Sequence, residues 1–284
     1  MSAINNVAAQ HEREVSAGRR FRFGRNWARF LKRLNLARIV EAEYNLKEFL
    51  GEGTLAGKTF LDIGSGSGLS SLAACRLGAR VTSFDFDSHS VACTEELRRR
   101  YFPGDRSWTI QQGSVLDQQY LAGLGQFDIV YSWGVLHHTG AMWQAMENVK
   151  PLVAPGGLLF IAIYNDCGEI SHWWLQRKRR YNALPRVLRA LYAIYVWAPQ
   201  ELRSLLSYLR SGKLRSYIQQ LTAASGGRGM SWIHDVIDWV GGYPYEYASV
   251  SAITDFYQRA GFTQVRVREN TSYGCHQIVF RRVG

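Results

Sequence analysis

From Lys58 to Ile163 short β-rich runs alternate with amphipathic stretches, an order that restricts this part of the chain to a mostly parallel sheet wrapped by helices. Strands are expected at 58–63, 80–85, 107–112, 127–132 and 157–163. Helices are expected at 68–77, 88–101 and 141–150, with a short one near 118–123. After the fifth strand the alternation stops. Residues 165–246 are rich in Trp, Tyr, Leu and Arg at mostly helical spacing, and a segment of that length inside a compact domain is a lid or an added subdomain rather than a loop. Alternation resumes with a helix at 249–260 and strands at 262–269 and 275–282. The organisation read from this is an N-terminal helical extension or lid over 1–54, an α/β core over 55–164, a helical substrate or lid insertion over 165–246, and the rest of the core sheet over 247–284.

Composition narrows the class. Of 284 residues, 46% are hydrophobic, enough to fill a core without disulfides or a structural metal. Cys75, Cys93, Cys167 and Cys275 form no CxxC pair, so they read as reduced thiols. The first thirty residues carry charges throughout, and the longest wholly apolar run, Ala190 to Ala198, is too short to span a bilayer. A cytoplasmic location with no transmembrane segment is the expectation. The formal net charge of +11 favours acidic partners. Part of it lies in Arg19, Arg20, Arg22, Arg25, Arg29, Lys32, Arg33 and Arg38, interleaved with Phe21, Phe23, Trp27 and Phe30. That pattern reads as an amphipathic helix with its aromatic face docked and its basic face solvated, as a lid over a bound cofactor, or as an anion-binding surface.

The chemistry is concentrated where strands end. Phe60-Leu61-Asp62-Ile63 runs into Gly64-Ser65-Gly66-Ser67-Gly68, where glycines allow a tight turn and close approach of a ligand. A dinucleotide fingerprint would need a third glycine at Leu69 or Ser71, so that reading fails in both registers. Asp85 closes the second strand, placed to accept hydrogen bonds from both ribose hydroxyls of an adenosine, and Asp87 reads as the cap of the next helix. Asp117, in Gly113-Ser114-Val115-Leu116-Asp117, follows the third strand and could accept from an adenine amine or cap a helix. The fourth strand ends in Ser132 and continues Trp133-Gly134-Val135-Leu136-His137-His138.

Taken in order, these motifs, with Ala154-Pro155-Gly156-Gly157 before the fifth strand, resemble the class I S-adenosylmethionine-dependent methyltransferases. Among them the chain is similar to bacterial ubiquinone-biosynthesis O-methyltransferases. The resemblance covers about residues 55–165 and returns at 249–282. It implies an α/β, Rossmann-like seven-stranded sheet with the last strand antiparallel, S-adenosylmethionine as methyl donor and S-adenosylhomocysteine as product. The cofactor contacts it implies are Asp62, Gly64, Ser65, Gly66, Gly68, Asp85, Phe86, Ser114, Val115, Asp117, Ser132 and Trp133.

The acceptor is less constrained. No metal is required. A hydroxyl acceptor would benefit from a base, for which His137 and His138 are the candidates and His234 the reserve. At the end of the insertion Trp232, Val236 and Trp239 share a helical face, and His234 and Asp238 share another. This stretch is either a helix packed through its tryptophans or an acceptor wall. In the second reading the substrate contacts are His172, Trp173, Trp232, Asp235, Tyr243, Tyr245 and Glu246. The expected activity is methylation of an O or N atom of a small molecule, a modified peptide or a glycan. An RNA methyltransferase and a non-catalytic S-adenosylmethionine-binding protein are the alternatives. Nucleic acid is disfavoured because Ser132-Trp133-Gly134-Val135 stands where base amino-methylases carry N-P-P-[YF]. A homodimer is left open.

Overall fold

A computed structural model of the chain describes residues 2–104, 106–217, 232–272 and 274–284; the side chains of residues 2–6, 25, 186, 232–235 and 238 are outside this description. The sheet has seven strands: β1 Thr59–Ile63, β2 Arg80–Asp85, β3 Trp108–Gln112, β4 Phe127–Trp133, β5 Val153–Tyr164, β6 Phe262–Arg268 and β7 Cys275–Arg282, in the order β3-β2-β1-β4-β5-β7-β6. β1 pairs in parallel with β2 and β4, β2 with β3 and β4 with β5, whereas β7 runs antiparallel to both β5 and β6. The order reverses between β1 and β4, so a crevice opens beyond their carboxyl ends.

Strand alternation divides the core in two. Phe60 and Tyr131 point to a layer completed by Ile39, Phe49, Leu72, Leu97 and Trp108. Leu61, Ile63 and Val130 point to the opposite layer with Met146, Ile253 and Tyr257. The first layer is roofed by α3 Leu36–Leu50, α4 Leu69–Arg76 and α5 Ser88–Tyr101, and the second by α6 Gln118–Ala122, α7 Met142–Val149 and, after the insertion, a helix at Val250–Gln258. Side-chain caps fix several starts: Asn35 accepts from Arg38 N, Asp87 from His89 N, Asp117 from Tyr120 N, and Ser249 from Ala252 N.

Before the sheet come α1 Ser2–Ser16 and α2 Gly24–Leu31. The basic and aromatic stretch 19–38 is therefore not one helix. Gly18 turns the chain at φ +67°, residues 19–23 form a strap, and the Asn35 cap starts a separate helix. The insertion supplies α8 Glu169–Ala183, α9 Arg186–Arg210 and α10 Trp232–Gly241; the helix at Val250–Gln258 is then α11. Trp174, Tyr181, Ala193, Val196, Val236, Val240 and Tyr245 form a third, aromatic-rich core among these helices.

Candidate cofactor and acceptor site

The glycine turn has the backbone that its sequence requires. Gly64, Gly66 and Gly68 take φ of +76°, +56° and +82°, conformations that a side chain disfavours. Gly64 N and Ser65 N both donate to Phe84 O, which ties the turn to the end of β2. Asp85 faces this turn: its Oδ2 accepts from Gly66 N at 2.9 Å and its Oδ1 from Asp87 N at 2.8 Å. Burial raises its pKa to about 6 against the pull of these two amides.

Asp62, expected among the cofactor contacts, is turned inward instead. It is 2% exposed and accepts from Ser71 Oγ, which shares a hydrogen bond with Ser83 Oγ, to which Trp108 Nε1 donates. Its place on the α4 side of β1 explains this. Its network stitches β1, α4, β2 and β3 together behind the turn. Ser65 likewise bonds Thr94 on α5, and Ser132 donates to Ile63 O, so both hydroxyls brace the scaffold. Asp117 is exposed and uses Oδ1 to cap α6; Ser114 Oγ accepts from Leu116 N, and Val115 is buried with its carbonyl bonded to Asn148. Phe86 is half-buried beyond Asp85, and Trp133 is exposed at the end of β4.

The N-terminal segment lies across this edge. His11 sits 3.7 Å from Asp87 and meets Phe86 edge-on, Gly24 N donates to Asp87 Oδ2, and the indole of Trp27 lies over Gly66 at 3.1 Å from where a Cβ would stand. Arg20 reaches furthest. Its guanidinium is 4.9 Å from the Phe86 ring centre, pairs with Glu14 and donates to His138 O at 2.8 Å, so one side chain touches both halves of the crevice. Sequence reasoning did not single out His11 or Arg20. The alternation of arginines with aromatics was the available signal, but it specified a covering segment and not which arginine turns inward.

The two histidines after β4 differ. His137 is fully buried against Tyr164, with ring centres 4.0 Å apart, and its Nδ1 accepts from Tyr164 N at 3.3 Å. Its proton therefore sits on the buried Nε2. Burial, with His138 and Lys178 adding to it, drives its pKa well down. With Nδ1 occupied and Nε2 protonated inside the protein, His137 has no lone pair to offer an acceptor. His138 is the opposite tautomer: Nδ1 lies 2.5 Å from Pro244 O, an obligate acceptor, so Nδ1 carries the proton and Nε2 a lone pair. Burial lowers its pKa to about 3, opposed by Pro244 and assisted by the charges of Lys178 and Arg20. Phe23 covers its ring at 4.9 Å.

The expected acceptor contacts are scattered. Tyr245 is buried in the insertion's core, and Tyr243 O accepts from Phe21 N in the strap. Glu246 spends its carboxylate on Met142 N, at 3.0 and 3.1 Å, holding the start of α7. His172 bonds Gln176 on an exposed helix face, and Trp173 is exposed under Arg177. These positions correct the reading of Glu246 and His172 as substrate-orienting groups. The side chains of Trp232, His234 and Asp235 lie outside the described residues.

Residues 61–159 match the family model described as a methyltransferase domain. Over these residues the chain is a methyltransferase domain. Ubiquinone biosynthesis O-methyltransferases of Caulobacter vibrioides and of a second Caulobacter strain are 30% and 29% identical over 57% and 59% of this chain. The matches span 58% and 60% of those relatives' own lengths. In fold, the domain and its additions resemble magnesium protoporphyrin IX methyltransferase from Synechocystis PCC 6803 (TM-score 0.52, 13% identity, 88% of each chain). They also resemble 1,6-didemethyltoxoflavin-N1-methyltransferase from Burkholderia thailandensis (TM-score 0.50, 16% identity, 100% of this chain and 92% of that one). At these identities the structural likeness establishes the seven-stranded methyltransferase fold.

The site fits S-adenosylmethionine. Asp85 offers carboxylate oxygens beside the turn, as a ribose diol requires, and Gly66 closes the turn where a Cβ would crowd the Trp27 indole.

Proposed function

We propose that this protein transfers a methyl group from S-adenosylmethionine to an oxygen or nitrogen of a small molecule, with modified peptides and glycans in the same range. The observation that carries the reading is Arg20, which joins Phe86, beside the ribose carboxylate, to His138, beside the acceptor edge. Cofactor and acceptor subsites are thereby neighbours under one strap.

S-adenosylmethionine, when bound, supplies an electrophilic methyl group on a sulfonium. Asp85, Gly66 and Phe86 would hold its adenosine, and Asp117 keeps Oδ2 for the adenine amine while Oδ1 caps α6. The strap of residues 19–23 and the Trp27 indole exclude water from this end of the crevice. His138 presents Nε2 to the acceptor. A hydroxyl proton becomes strongly acidic as its oxygen bonds to carbon, so a weak base suffices if the proton moves with or after the attack. Pro244 O holds Nδ1–H throughout, fixing the ring and favouring the cation that forms. An amine acceptor would need no base and would use the same alignment.

Calorimetry with S-adenosylmethionine and S-adenosylhomocysteine tests the first half: binding of neither would defeat the proposal. Mass-spectrometric search of a cell extract for a molecule gaining one CH2 on addition of enzyme and cofactor identifies the acceptor. On that acceptor His138→Ala is expected to lower turnover roughly a hundredfold for a hydroxyl while leaving cofactor affinity unchanged. Since His138 stays neutral down to about pH 3, it contributes no acid limb near pH 6 to 7 in the wild-type profile. Tight cofactor binding with no methylated product in any extract would favour a non-catalytic binding protein.

A further inference from the structure

One segment of the insertion is strongly basic. Between Arg177 and Tyr217 stand ten basic residues and one acid, Glu201, a balance of +9 within the total of +11. Glu201 is itself engaged, accepting from Trp197 Nε1 and Tyr217 Oη. The 25-residue helix α9 runs through the middle of this segment.

Helix α9 has two apolar faces. Its inner face, with Ala193 and Val196, packs into the aromatic core around Trp174 and Tyr181. Its outer face presents Val187, Leu188, Leu191, Ile194, Tyr195, Leu202, Leu206 and Leu209, all between 42% and 82% exposed. At 3.6 residues per turn these fall within about 120° of the circumference, a continuous stripe on the side opposite the inner face. Arg203 and Arg210 flank one edge, and Lys213 and Arg215 follow at its end, all exposed. A solvated helix would not place its largest aliphatic side chains outward along its whole length.

We propose that the outer face of α9 docks this protein onto an anionic lipid surface, the helix lying in the plane of the headgroups. An aliphatic stripe edged by arginines matches acyl chains below and phosphates beside them. A nucleic acid would satisfy the arginines and leave the stripe in water. No described helix is long and apolar enough to cross a membrane, so the contact is peripheral. The inference is independent of the methyl-transfer reading.

The test is co-sedimentation of the full chain with vesicles of phosphatidylglycerol and phosphatidylcholine in equal parts, and with phosphatidylcholine alone. Pelleting with the first, weakened by salt, and little with the second is expected. The double variant L191E/I194E should lower partitioning at least about tenfold, because it sets two charges where acyl chains would lie. R203E/R210E, which keeps the stripe, should lower it by a similar factor. V40E, on an exposed apolar position of α3, should bind as wild type does. Absence of pelleting with anionic vesicles, undiminished binding by L191E/I194E with native circular dichroism, or equal loss in V40E overturns the proposal. So does a dimer in sedimentation velocity that L191E/I194E splits while vesicle binding is absent, which would make a second copy the occupant. Should L191E/I194E misfold, R203E/R210E decides, and its undiminished binding would overturn the proposal equally.

Discussion

Asp62 and Asp85 are both carboxylates raised by burial, yet they serve opposite sides of one glycine turn. Asp85 has oxygens on the crevice, where a ligand can share them. Asp62 is sealed behind the turn, with a pKa raised to about 7 by burial and then by repulsion from Asp85, against the bond from Ser71. In the unfolded chain it titrates near 4. The folded protein therefore binds a proton that the unfolded chain has lost between about pH 4 and 7, and stability from this group falls as pH rises across that window. Above pH 7 the ionised carboxylate costs the fold on the order of 4 kcal/mol at most, at about 1.4 kcal/mol per unit. Asp62→Asn keeps an acceptor for Ser71 and removes the charge. Its denaturant-unfolding free energy should exceed that of wild type at pH 8, with the gap closing toward pH 4. A gap that is constant with pH would show that Asp62 does not titrate in this window. None of this was readable in the sequence: a motif gives Asp62 the same standing as Asp85, and only the side of the strand on which each lies separates them.

At the scale of elements, all seven strands were legible, because short β-rich runs, buried on both faces in β1 and β5, and the glycine turn are local signals. The expected boundary of β2 coincides with the observed strand, and that of β5 falls short because the strand begins at Val153, before Pro155-Gly156-Gly157. The helical insertion was legible in outline from its spacing. What escaped was how separate elements are joined. Glu246 illustrates the difficulty: as a carboxylate after Pro244 it resembles a substrate ligand, but the start of α7 lacks a side-chain cap of its own and takes Glu246 across 104 residues. An N-terminal amide with a carboxylate acceptor contributes roughly 1 kcal/mol. Glu246→Ala is therefore expected to lower unfolding free energy by about 1 to 2 kcal/mol, with Glu246→Gln recovering part of it, while the KM for the acceptor stays at the wild-type value. A KM that rises severalfold in the Gln variant without a loss of stability would return Glu246 to the acceptor site.

Over the whole molecule, the crevice is covered from two directions, by the strap and α2 on the side of β2 and by the insertion beyond β4 and β5. Access for the cofactor must come through the N-terminal cover, since Trp27 stands over Gly66 and Arg20 spans Phe86 and His138. Within that cover α2 is anchored in the first core layer by Phe30 and Leu31, whereas the strap is held by the Arg20 bonds, Phe21 N to Tyr243 O and the ring contacts of Phe21 and Phe23. Such contacts open at low cost compared with the apolar layers of the sheet, so the strap should be the first part of the described structure to yield to protease. Trypsin has targets there at Arg19, Arg20 and Arg22. S-adenosylhomocysteine at a hundredfold excess over its dissociation constant stabilises the closed, liganded form by about 2.7 kcal/mol, enough to slow cleavage by as much as a hundredfold if closure is required for binding. Cleavage between Arg19 and Arg22 should slow with ligand and return to the unliganded rate when Arg20→Ala cuts the tie to His138. Cleavage indifferent to ligand would mean that the strap rests on the cofactor edge without taking part in binding, and the cover over the donor would then have to be assigned to the insertion alone.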